Sequence, residues 1–289
     1  MIDSVKKFCK TYWWSFSVFL FILGFFVIKN LVPHYDYETL KYVYIYPFGI
    51  FCHFLCVVML FVGYQIQWKK LFSYSALKIP LIFKAFCLLW FASLVVYLPS
   101  VISSTKDMLN FFGTHGFDFN ITKIFSKPND SYFYIFYIFA SIFLAPIFEE
   151  ILCRFVLYYN LSIKYDSKIL GMIVSSILFS LFHLIVYEYS FSRFFLIFFM
   201  GCMCAYCYEK SDTIWAPIIL HSLWNMSVNI TDCFTKHYYT LFTDILYLIA
   251  TIVSIFAIRE YLSAKRTTAL ERRKQSDSIP TDSVPDTQE

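Results

Sequence analysis

The sequence predicts an all-α, polytopic membrane protein of about eight transmembrane helices with a polar cavity among them. Three observations carry that prediction. The chain is 59% hydrophobic and only 15% charged, where a soluble domain carries about 25% charged residues. The apolar residues recur in blocks of roughly 20, the length needed to cross a bilayer, with short polar punctuation between them. Lysine and arginine also fall unevenly between the two sets of alternate loops, as they do around membrane spans.

The blocks follow in order. Trp13–Val32 is apolar and long, lacks a cleavage-site pattern, and reads as a retained span and not a signal peptide. Val43–Ile66 and Ile79–Ile102 come next, and then a polar connection from Ser103 to Ser131. Tyr132–Tyr159 is the longest block and must tilt or protrude. Ile169–Tyr187, Phe191–Tyr208, Ile214–Ile230 and Thr240–Leu262 complete the set. Beyond Ala264 the chain is rich in Arg, Ser, Thr, Pro and Asp, and too poor in apolar residues to build a core. The expected organisation is N-terminal helices and a far-side loop over 1–131, a helical core over 132–262, and a disordered cytoplasmic tail over 263–289. The chain does not end in a CaaX box, so it is not itself a prenylation substrate. No internal repeat marks it as an inverted-repeat transporter.

With the N-terminus placed in the cytoplasm, fifteen Lys and Arg fall inside and seven outside. This puts both termini in the cytoplasm, in agreement with an even number of spans. The net charge of +4 follows from that bias and requires no nucleic-acid partner. The basic C-terminal arm can touch anionic lipid. The nine cysteines include Cys52, Cys56, Cys87 and the "CMCAYC" run at 202–207, and lie mostly in apolar blocks, where free cysteine packs as a small hydrophobe.

Polar residues inside the spans are few. "FEEILCRF" places Glu149, Glu150 and Arg154 on the fourth helix. Glu150 and Arg154 stand at i,i+4 and can pair, whereas Glu149 is turned about 100° away and is not neutralised by that pair. "FSLFH" gives Phe179 and His183 on the fifth helix, and "HSLWN" gives His221 and Asn225 on the seventh. Counted from one membrane face, Glu149, His183, His221 and Asn225 all lie roughly 13–21 Å deep. His53 falls near the same layer but has no polar neighbour at helical spacing, and reads as a packed histidine. Pro146 and Pro217 each precede a polar group by about a turn and can bend the helix or free its backbone. Glu188 and Asp244 lie near far-side helix ends, where solvation is the default reading, and Lys84 can snorkel. One carboxylate, two imidazoles and a carboxamide suffice to activate water and stabilise an oxyanion. They nearly suffice for a metal site as well, although no HExxH is present.

The three motifs, EExxxR, FxxxH and HxxxN, in this order and on apolar helices, resemble the CPBP family. That family comprises membrane proteases, among them type II CAAX prenyl endopeptidases and bacteriocin-processing or immunity (Abi) proteins. The segment "CYEKSDTIWAPIILHSLWNMSVN" carries the last motif. The resemblance implies that Glu149 is a general base on water, His183 positions that water, and His221 with Asn225 forms the oxyanion site. It implies that Glu150 and Arg154 are a supporting pair, and that Phe179 shields the cavity. On this resemblance the reaction is hydrolysis of a peptide bond near the cytoplasmic leaflet, in a lipid-anchored, prenylated or leader-bearing substrate. It needs no metal and no cofactor, with zinc as the alternative. The setting is a bacterial inner membrane, to which the Phe-, Tyr-, Ile- and Lys-rich composition points, or the endoplasmic reticulum if the source is eukaryotic. Two other readings stand beside it: a non-proteolytic immunity or binding protein of the same fold, and an ion-coupled transporter.

Overall fold

The computed structural model describes residues 3–7, 77–116, 120, 137–184, 190–231 and 233–277, with 51, 54, 55, 57, 58, 62, 72 and 73. The expected first helix, most of the second, His53 and Glu188 lie outside the described residues. Every long element described is helical. In chain order they are α1, Ile79–His115; α2, residues 137–164; α3, Lys168–Leu184; α4, Phe191–Ser211; α5, Trp215–Thr231; and α6, Lys236–Asp277. These correspond to the third to eighth expected blocks. Three of them are long and apolar enough to cross a membrane: α1, α4 and the Lys236–Thr268 portion of α6.

Two ends differ from the sequence reading. The helix expected to stop at Ile102 continues to His115, and Gly116 ends it with φ +72° and its N–H on Phe112 O. The extension is held by packing: Met108 and Phe112, one turn apart, are buried, and Phe111 stacks on His237 with ring centroids 3.9 Å apart. Far from being wholly a tail, the segment after 263 remains helical to Asp277. From Ala264 to Asp277 it has neither Gly nor Pro and is rich in Ala, Leu, Glu, Lys and Arg, so helix propensity carries the helix past the apolar stretch. Residues 278–289 lie outside the described residues.

α1 and α6 pack antiparallel along most of their length. Lys84 Nζ meets Glu260 Oε2 at 2.5 Å near one end, and the Phe111–His237 stack closes the other. α3 and α4 form a second antiparallel pair, tied by Lys168 to Glu209. Their close approach requires Gly201, where an added Cβ would lie 2.8 Å from Ser176 Cβ. The core joins α1 to α5 through Leu89, Cys153, Phe179, Cys204 and Leu220. Among the described cysteines Cys87, Cys153, Cys204 and Cys207 are free and buried.

α2 is not a uniform α-helix. It has a π segment at Ala140–Leu144, α geometry over Ala145–Glu150, a second π segment at Ile151–Tyr158, and α geometry to Lys164. Such wide turns often occur at functional sites, and here they flank the two glutamates.

Candidate active site

α2 sets the site. In the first π segment Ala145 N–H bonds to Ala140 O, five residues back. The next bond in that pattern would run from residue 146 to Ser141 O, but Pro146 has no N–H to give. The Ser141 carbonyl is instead met by Asn225 Nδ2 at 2.8 Å. A break in the helix ladder of α2 therefore orients the carboxamide of α5. Asn229, one turn on, donates to Ser141 Oγ at 3.2 Å and to Asn225 O at 2.7 Å. Ser141 and Asn229 were not singled out from the sequence. Their signal was present as spacing: 141, 145 and 149 on α2 face 221, 225 and 229 on α5, each set in steps of four.

Glu150 and Arg154 form the expected pair, and both are fully buried. Glu150 Oε2 lies 2.8 Å from Arg154 Nε, and Oε1 accepts from Arg154 Nη2 at 3.2 Å. The guanidinium also lies over the Phe179 ring, 4.9 Å from its centroid. Glu150 has a second partner that the sequence reading did not give it, His221 Nδ1 at 2.8 Å from Oε1. A buried carboxylate is tolerable only when it is paired: Glu150 Oε1 is met by Arg154 of α2 and His221 of α5, whereas Oε2 has the ion pair with Arg154 Nε and no hydrogen bond among the described residues.

Glu149 points elsewhere. Its Oε2 lies 3.7 Å from His183 Nε2 and 3.8 Å from His221 Nε2. That oxygen is buried and has no hydrogen-bond partner among the described residues. The partners on the far sides of the rings fix the tautomers. His183 Nδ1 faces Phe179 O at 2.8 Å, and a carbonyl only accepts, so Nδ1 carries the proton. His221 Nδ1 faces the ion-paired Glu150, so it too is the donor. In neutral rings both Nε2 atoms are then acceptors aimed at the Glu149 carboxylate. Phe179, 2% exposed, is wedged between the rings, 4.5 Å from the His183 centroid and 5.8 Å from that of His221. It backs the site and separates it from Arg154.

Glu149, His183, His221 and Asn225 line one cavity of about 600 Å³. The structure thus brings together the residues that the depth estimate placed in one layer. From Glu149 the cavity runs along the first halves of α2, α4 and α6 and the second half of α1, past Ser100, Ser104 and Thr240. This is the end of the bundle away from Lys78, Lys168 and Lys210.

The donor types suit a divalent cation, but the spacing is loose. Ligand atoms around zinc, with bonds of ~2.0–2.2 Å, sit ~3.3–3.5 Å apart, closer than the separations found here. Among the described residues no group of three His, Cys, Asp or Glu is drawn together to hold a metal.

Residues 131–227 match the family model Rce1-like, described as type II CAAX prenyl endopeptidase Rce1-like. The match supports membership of the CPBP family. It takes in all three motifs, from Glu149 to Asn225, over roughly a third of the 289 residues. The family is one of proteases that act at membranes. α1 and α6, which wall the cavity, fall outside the matched segment. No curated protein and no solved structure matches the chain.

Proposed function

We propose that the protein is an intramembrane endopeptidase of the CAAX-processing type, in which Glu149 activates a water molecule for attack on a peptide bond. The observation that carries this reading is the convergence of three acceptors, Glu149 Oε2 and the Nε2 atoms of His183 and His221, in a cavity within apolar helices. A water held between them donates its protons to two of the three, which aims a lone pair at an incoming carbonyl. Glu149 takes a proton as that lone pair attacks. His221, its Nδ1 held by Glu150, receives that proton from Glu149 at Nε2, donates it to the oxyanion and gives it up to the departing amine as the intermediate collapses. Asn225, with one amide hydrogen committed to Ser141 O, has a second to give. Glu150 and Arg154 hold α2 and His221 in register.

The substrate class is a peptide or protein anchored in the membrane, lipid-modified or leader-bearing. Both termini of the chain face the cytoplasm on the charge bias. Zinc held by Glu149, His183 and His221 is the alternative; it would polarise the carbonyl and lower the pKa of bound water. An immunity or binding role in the same fold is the second reading, favoured by the family's inclusion of such proteins.

The test compares new peptide termini in membranes of cells expressing wild type or Glu149→Ala at equal levels. Termini that require Glu149 are expected. Their absence, with folded protein present, would transfer the assignment to the binding reading.

A further inference from the structure

The cavity continues past the three motifs to a second carboxylate. Among the described residues its lining carries two carboxylates, Glu149 and Asp244, and one guanidinium, Arg193. Asp244 lies two turns inside α6, within the stretch apolar enough to cross a membrane. An ionisable group at such a place is costly and calls for a use. Thr105 Oγ1 is 2.8 Å from Asp244 Oδ2, and the same hydroxyl is 2.8 Å from Val101 O. One hydroxyl proton therefore serves two acceptors, and Asp244 is left under-supplied. No cation among the described residues pairs with it.

The path from the reacting centre to Asp244 is a wall of aromatic rings. Trp224, next to Asn225 in sequence, lies 5.4 Å from Trp90, and Trp90 lies 5.4 Å from Tyr247, ring centroid to ring centroid. Tyr247 stands one turn from Asp244 on α6. An extended peptide advances ~3.3 Å per residue, so this wall spans about three residues of bound substrate.

We propose that Asp244, held by Thr105, is a subsite for a basic side chain of the substrate peptide, about two to four residues from the scissile bond. The inference rests on the endopeptidase reading and adds a specificity to it. A Lys or Arg there supplies the donors that Asp244 lacks, and the aromatic wall carries its aliphatic stem. Ser104 and Thr240, also in the lining, accept the remaining protons of the cation.

The experiment uses the full chain in liposomes and peptides built on the cleavage sequence found by the termini comparison. Each peptide carries Lys, Ala or Glu at one position on either side of the bond. Wild type is expected to prefer Lys over Ala by about tenfold in kcat/KM at one of these positions. Asp244→Asn is expected to erase that preference, Asp244→Arg to replace it with a preference for Glu, and Thr105→Val to weaken it. Equal rates on Lys and Ala peptides in wild type, or an unchanged preference in Asp244→Asn, would overturn the subsite alone. No cleavage of any peptide by wild type would overturn the endopeptidase reading with it.

Discussion

The two halves of the cavity wall are built on different principles. The α2, α3 and α5 side is held by charge and hydrogen bonds: Glu150 to Arg154 and His221, His183 to Phe179, Asn225 to Ser141. The α1 and α6 side rests mainly on rings, Trp90 against Tyr247 and against Trp224 of α5, and Phe111 against His237, with the Thr105–Asp244 bond between them. Directional bonds fix atoms to a few tenths of an ångström, as general base catalysis requires. Stacked aromatics fix a surface and leave its detail free to vary, as the recognition of a peptide requires. The family match follows the same division, since residues 131–227 contain the first side and leave out α1 and α6.

Substitutions can break or sharpen that contrast. The largest effect belongs to Glu149→Gln. It keeps shape and removes the base, and turnover is expected to fall by about 10²–10⁴ with thermal stability retained. Arg154→Met comes next. It leaves Glu150 buried without its cation, and such a loss costs about 3–5 kcal/mol; a denaturation curve in detergent should shift by that amount. An unshifted curve would mean that the charged side is not held as described. Gly201→Val drives a side chain into Ser176 and is expected to cost about 1–3 kcal/mol by overpacking.

On the aromatic side, Trp90→Ala is expected to raise KM or change the cleavage sequence, with kcat reduced far less than by Glu149→Gln. Equal losses of kcat in the two variants would erase the distinction between the sides. The smallest effect is expected from Lys84→Ala. Its pair with Glu260 is exposed, and pairs of that kind contribute no more than about 1 kcal/mol.

The charged side was legible in the sequence because its residues are rare against their background. A glutamate, histidine or asparagine in an apolar block stands out, and spacings of four place it on a face. Glu149, Glu150, Arg154, His183, His221 and Asn225 stand out in this way, Phe179 came with the motif that ends in His183, and the four residues that depth counting grouped line one cavity. Ser141 escaped because serine in a helix ordinarily satisfies itself, and its use here depends on a π turn and on Pro146 lacking an N–H. The second bond of Glu150 escaped because it joins two helices far apart in sequence. The aromatic side was opaque for the opposite reason. In a chain that is 22% aromatic, one more tryptophan is no signal, and the pairing of α1 with α6 is a matter of tertiary packing. Asp244 was visible, but it read as a solvated helix end until α6 was seen to line the cavity.

The central claim is that Glu149 acts on water directly. The measurement that tests it most directly is the turnover of purified wild type and Glu149→Gln on one identified peptide, before and after thorough chelation, with metal content determined on the same samples. Full wild-type turnover after chelation, with a loss of two or more orders of magnitude in Glu149→Gln, is the predicted result. Activity that chelation abolishes and zinc restores, or a Glu149→Gln enzyme that still turns over at nearly the wild-type rate, would contradict it.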